Sequence, residues 1–161
     1  MPEFPIHGSK YFDVREFVDQ KTWAMLGAKS AWCVDPKIVA VCDLLREKVG
    51  VPVKINTWHY AKRGQKSFID SGFRAKWSGV GAVLSQHRMG RAADVKVDGM
   101  PTYQIQLIII KHEQEFLAAG LTTMENMEYT PTWCHLDCGP RLQENSGFLI
   151  EKKKKITFGF G

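Results

Sequence analysis

No apolar run in the sequence approaches the ~20 residues that a membrane-spanning helix needs. The longest, residues 105–110, is interrupted by Gln106. The first ten residues, MPEFPIHGSK, contain no apolar core of the kind a secretory signal carries. Neither a membrane span nor signal-directed secretion is expected. Cysteine is scarce: there are four, Cys33, Cys42, Cys134 and Cys138, and no two form a C-x-x-C pair. Reduced thiols are the expectation, and Cys134 and Cys138, which lie close to a motif described below, are weighed as metal ligands. There is no internal repeat, no low-complexity linker, and no RNP, zinc-finger or basic-helix pattern. Nucleic acid is therefore not an expected partner, despite a net charge of +5. Part of that excess is one run, Lys152, Lys153, Lys154 and Lys155. It reads as a solvated strand edge or turn.

What remains is a chain of 161 residues, 44% hydrophobic and 24% charged. Those proportions suit one globular domain over 1–161, with a monomer favoured. A chain of this length buries roughly 70% of its unfolded surface and needs no disulfides.

The periodicity predicts a helix over 13–26, opened by Asp13 with Glu16 three residues on as a capping box. A second helix follows Asp35 and Pro36, carries Ile38, Val41, Cys42, Leu45 and Val49 at helical spacing, and closes at Gly50. A strand is expected over 51–57 and another over 92–98. A third helix starts at Pro101, bears Ile105, Ile108, Ile109, His112 and Phe116 on one face, and ends at Gly120. His112 reads as a satisfied core histidine. A strand follows near 132–138, and the tail over 148–161 reads as a hairpin. Residues 58–84, rich in Gly, Ser, Lys and Arg, read as a long functional loop. Helices first, then strands mixed with one helix, predict an α+β fold with a small, mainly antiparallel sheet.

Two short stretches carry chemistry. The first is Ser85-Gln-His87-Arg-Met-Gly90-Arg-Ala92-Ala-Asp94. On a strand, Ala92, Asp94 and Lys96 share one face and Ala93, Val95 and Val97 the other. An aspartate in mid-strand runs against propensity, so it is either solvated on an open face or binds something. Small residues at Gly90 and Ala92 let the backbone bring His87 towards Asp94. The second stretch is Trp133-Cys-His135-Leu-Asp137. Here His135 and Asp137 face one way, while Cys134, Leu136 and Cys138 face the other as core residues. Two histidines and one carboxylate form a zinc ligand set that leaves a fourth position for water, the mark of a catalytic site.

The pattern S-x-H-x-x-G-x-A-x-D followed by W-x-H-x-D resembles the zinc D-alanyl-D-alanine carboxypeptidase-like peptidases. That family includes bacterial wall carboxypeptidases and phage endolysins. The resemblance runs from about Asn56 to Arg141. It implies the fold of the DD-peptidase and hedgehog-like zinc peptidases. It also implies one Zn2+ ion on His87, Asp94 and His135, and hydrolysis of an amide in peptidoglycan stem or cross-link peptides. Release through a phage lysis system, or carriage on a virion, would bring the protein to the cell wall. Ser71-Gly72-Phe73-Arg74 resembles the family's S-G-Y/F-R segment, and Arg74 would then bind a substrate carboxylate or steady an oxyanion.

Two departures matter. The stretch 58–70 is longer than the family pattern and reads as a substrate-binding loop. The positions before His135 hold Thr132 and Trp133 rather than the carboxylate or histidine that serves some members as base. Glu125, Glu128 and Asp137 are the candidate bases. Glu125 is preferred, because Asp137 lies past the ligand and can instead orient a histidine ring. Ser85 and His59 are candidates for contacting substrate. Arg88 and Arg91 read most simply as solvent-facing, the alternative being that they grip wall carboxylates. The missing carboxylate motivates an alternative: a non-catalytic, zinc-containing wall-binding module of the same fold.

Overall fold

The computed structural model describes residues 1–140 and the strands at 147–150 and 155–159. The lysines at 152–154 and the tip of the expected hairpin lie outside the described residues. Five helices and six strands are described: α1 Val14–Phe17, α2 Gln20–Leu26, α3 Pro36–Val49, β1 Val53–Lys54, β2 Ala92–Val97, α4 Thr102–Lys111, α5 Glu113–Ala119, β3 Thr123–Glu125, β4 Cys134–Asp137, β5 Gly147–Ile150 and β6 Lys155–Gly159. The strands form one sheet in the order β1-β2-β4-β3-β6-β5, and every neighbouring pair is antiparallel. The protein is α+β with a small antiparallel sheet. Among the described residues no helix is long and apolar enough to cross a membrane.

The capping signals act where the sequence places them. Asp13 accepts from the Arg15 amide and Glu16 accepts from the Asp13 amide, completing the capping box of α1. Asp35 caps α3 by accepting from the Lys37 amide, and Gly50 ends it in the left-handed conformation. Helix α3 turns Ile38, Val41, Cys42 and Leu45 into the core, where they join Ala93, Val95 and Val97 of β2 and Ile105 and Ile109 of α4. Each fully buried aliphatic side chain there stabilises the fold by about 1.5–3 kcal/mol.

Four expectations need correction. The helix over 13–26 is two, because Val18 takes an extended conformation and Asp19 starts a new helix by accepting from the Lys21 and Thr22 amides. The helix from Pro101 to Gly120 also breaks, at His112 (φ −114°, ψ 29°). His112 is accordingly a half-buried residue at the junction of the two helices, 2.9 Å from Glu115 Oε1, rather than a core histidine. The strand over 51–57 shrinks to Val53–Lys54, because Asn56 leaves the ladder to bond elsewhere: its amide donates to Glu16 O and its side-chain nitrogen to Val18 O. Strand β3 is not foreseen by the hydropathy pattern. It is three residues long, too short for an alternation to register.

Helices α3 and α4 share the apolar core with Ala93, Val95 and Val97 of β2, while Asp94 and His135 project to the opposite side, which the loop over 58–90 borders. Its segment at 71–74 runs beside β2, with the Asp94 amide donating to Ser71 O at 2.7 Å. Asn56 anchors that segment by accepting from the Ser71 amide.

Candidate metal centre

Three buried side chains converge on one point. Asp94 on β2 and His135 on β4 are direct partners in the antiparallel register, so both project to the same side. His87 arrives from the loop before β2. Asp94 Oδ1 lies 2.8 Å from His135 Nδ1 and 3.3 Å from His87 Nε2, and the two nitrogens are 3.2 Å apart. Ligand atoms bound at 2.0–2.1 Å in tetrahedral geometry stand about 3.3–3.4 Å from one another. The triad therefore already has close to the spacing that a tetrahedral ion requires, and the chemistry of its donors suits zinc.

The chain around the triad explains how it is held. His87 Nδ1 is 2.8 Å from Gly72 O. A carbonyl has no hydrogen to give, so Nδ1–H donates and Nε2 presents its lone pair to the cluster. Gly72 fills a position where a Cβ would lie 2.4 Å from Phe17 O, so no side chain fits there. Gly90 ends the turn after His87 at φ +68°, and a Cβ there would meet Cys33 O at 1.9 Å. Its own carbonyl accepts from the Asp35 amide, which fastens the turn to the start of α3. Both motif glycines thus answer to close backbone approach.

His135 is held from its far side. Its Nε2 lies 3.4 Å from Asp137 Oδ2, and Asp137 Oδ1 accepts from the Gly139 amide. Carboxylates that hold the outer nitrogen of a metal-binding imidazole fix its tautomer and raise its basicity. Burial works to lower the pKa of His135, but Asp137 and Asp94 outweigh it and raise it. Burial works to raise Asp94, but His135 and His87 outweigh it and hold the carboxyl well below the usual range. Burial lowers His87, although Asp94 opposes the shift. The pocket thus favours an ionised carboxylate and positive charge beside it.

Arg74 Nη2 donates to Asp94 Oδ2 at 2.7 Å, and its Nε donates to Asp70 O. The guanidinium borders the cleft but is committed to the carboxylate of the triad. Together, residues 71–74 brace the cluster: Ser71 O holds the backbone of Asp94, Gly72 O holds the His87 ring, the Arg74 amide donates to His87 O, and the Arg74 fork holds Asp94. The sequence marks Arg74 but not this bracing, nor Asn56 behind it. The one signal for it is the run of small and polar residues at 71–72.

The triad opens onto a cleft of about 480 Å³, walled in part by Arg74, Ser85, Leu84, Glu125 and Trp133. Of the three candidate bases, Glu125 lines this cleft. Asp137 lies behind His135, and Glu128 is exposed. The register that sets Thr123 opposite Asp137 and Met124 opposite Leu136 points Glu125 to the same side as His135. Ser85 lies in the cleft wall, and its Oγ accepts from the His87 amide. His59 does not reach the cleft; its ring packs between Trp58 and Tyr60.

Arg88 is not solvent-facing. It donates to the carbonyls of Ala75, Ser78 and Ala82 and ties down the loop beside the cleft. Arg91 is partly exposed and pairs with Asp35. Cys134 and Cys138 are buried in the apolar core, away from the donors. Comparison with protein-family models, with curated proteins and with solved structures gave no match.

Proposed function

We propose that the protein is a zinc-dependent peptidase that hydrolyses an amide bond in peptidoglycan stem or cross-link peptides. The observation that carries this reading is the convergence of His87 Nε2, Asp94 Oδ1 and His135 Nδ1 within 3.3 Å of one another at the floor of an open cleft. The motif resemblance supplies the substrate class. The α+β arrangement, with its ligands on neighbouring antiparallel strands, accords with the DD-peptidase and hedgehog-like fold that the resemblance implies.

His87, Asp94 and His135 would hold the ion. When bound, zinc supplies Lewis acidity towards water and towards a substrate carbonyl. The chain's own groups do the rest. Glu125, in the cleft wall, takes a proton from the attacking water and returns it to the leaving amine. Arg74 aims Asp94 through its Nη2 bond, and its guanidinium borders the cleft in which an oxyanion would develop. Trp133 and Leu84 give the cleft apolar surface on which a peptide can lie.

Zinc-loaded protein incubated with purified murein should release new amino groups, and Glu125→Gln should stop that release while retaining the metal. Metal and wall binding without release would favour the non-catalytic module. Intact murein of every type tested, with no wall binding and no effect of His87→Ala, would remove both readings.

A further inference from the structure

Arg74 is engaged by Asp94, so an anionic substrate needs another cation in or beside the cleft. One stands a pleat away. Lys96 follows Asp94 at i+2 on β2 and so faces the same side, with the two Cα atoms about 7 Å apart. Its ammonium lies 4.0 Å from the Phe68 ring centroid and 5.7 Å from that of Trp133, the same tryptophan that walls the cleft. Lys66 approaches Phe68 as well, at 5.7 Å.

Among the described residues no carboxylate pairs with Lys96 or Lys66. The contrast with a neighbour is direct. Lys54 stands opposite Lys96 in the β1–β2 register and is neutralised by Asp98. Lys96 is half-buried, and its ammonium sits over the Phe68 ring and nearer the edge of reach of Trp133, contacts that position the charge without neutralising it. Lys96 does not line the cleft itself; it borders a small adjoining pocket that shares Trp133 with the cleft, so its ammonium stands beside the cleft wall.

We propose that Lys96, positioned by Phe68 and Trp133 and reinforced by Lys66, binds a carboxylate of the substrate within about two residues of the amide that is cut. The assignment rests on the peptidase reading and adds to it that the substrate is an anionic peptide. The carboxylate comes either from the peptide's C-terminus or from an acidic residue within it.

The test uses zinc-loaded full-length protein and a synthetic stem peptide containing D-Glu and ending in D-Ala-D-Ala. Three derivatives are compared with it: amidated at the C-terminus, amidated at the D-Glu carboxylate, and amidated at both. Calorimetric binding and cleavage are measured for the wild type, Lys96→Met, Lys96→Arg and Lys66→Ala. Lys96→Met should weaken binding of the fully charged peptide tenfold or more, with Lys96→Arg retaining most of the affinity. Lys66→Ala, at an exposed position, should lose a few-fold in the same direction. One single amidation should reproduce the Lys96→Met loss in the wild type, and that identifies the carboxylate. The doubly amidated peptide should bind wild type and Lys96→Met equally.

Equal binding of the charged peptide by wild type and Lys96→Met, or equal losses for charged and amidated peptides, would overturn the subsite. Failure of the two readings is distinguishable. Charge-dependent binding through Lys96 with no cleavage removes the peptidase and keeps the subsite. Cleavage indifferent to Lys96 and to amidation removes the subsite and keeps the peptidase.

Discussion

Asp94 and His135 stand opposite each other on adjacent antiparallel strands, with Asp94 Oδ1 2.8 Å from His135 Nδ1. The sheet register itself sets that pair, and the turn carrying His87 adds the third donor. A ligand set built on strands is more rigid than one built on loops, which suits a metal site. An ion bound there would stabilise the folded chain, because only the folded register brings the three donors together.

The carboxylate behind His135 tunes the site without entering it. Asp137→Asn should weaken zinc binding 10–100-fold, the range for losing a group that orients a ligand. His135→Ala should abolish stoichiometric binding. Competition against a chromophoric chelator measures both. Equal effects of the two substitutions would contradict the division between His135 as ligand and Asp137 as its orienting partner.

Glu125 lines the cleft without belonging to the triad, so its replacement tests the proposed base apart from metal binding. Glu125→Gln should lower kcat by about 10²–10⁴-fold, the contribution of a positioned general base. Zinc affinity should stay within about threefold of wild type, because Glu125 is not one of the three converging donors. Full activity in Glu125→Gln would move the base elsewhere.

The turn at Gly90 is a steric requirement. Gly90→Ala would place a methyl against Cys33 O and force φ +68° on a residue with a Cβ. A cost of about 2 kcal/mol or more is expected, lowering Tm by about 5 °C or more. Thermal unfolding followed by circular dichroism reads this directly, and an unchanged Tm would show that the turn is not held against Cys33.

A pH dependence arises away from the centre. Burial is the largest influence on Glu16 and pushes its pKa up to about 7, although the Asp13 amide works against that shift. Between the ordinary carboxyl range and pH 7 the folded state binds more protons here than the unfolded state, so stability falls as pH rises through that window. Glutamine retains the capping-box acceptor and removes the charge. Glu16→Gln should match wild type in Tm near pH 4 and exceed it at pH 8. The opposite order at pH 8 would mean that the charged form is the stabilising one.

Much of the centre is legible in the sequence because its signals are local. Asp35-Pro36 and Gly50 bound α3 through capping and left-handed geometry, and strand alternation puts Asp94 on one face of its strand and His135 with Asp137 on one face of theirs. Tertiary contacts decide the rest. Nothing in the local pattern shows that Asn56 leaves β1 to bond Val18 O and the Ser71 amide, or that Arg74 is spent on Asp94. The breaks at Val18 and His112 fall inside helical periodicity, which continues across each interruption. Strand β3 takes its identity from its neighbours β4 and β6 rather than from its own three residues.

The most direct test is zinc-edge anomalous diffraction from crystals of the zinc-loaded protein. One strong peak is expected, about 2.0–2.1 Å from His87 Nε2, Asp94 Oδ1 and His135 Nδ1. No peak there, or a peak on other residues in protein that binds zinc in solution, would contradict the metal centre and the hydrolase built on it.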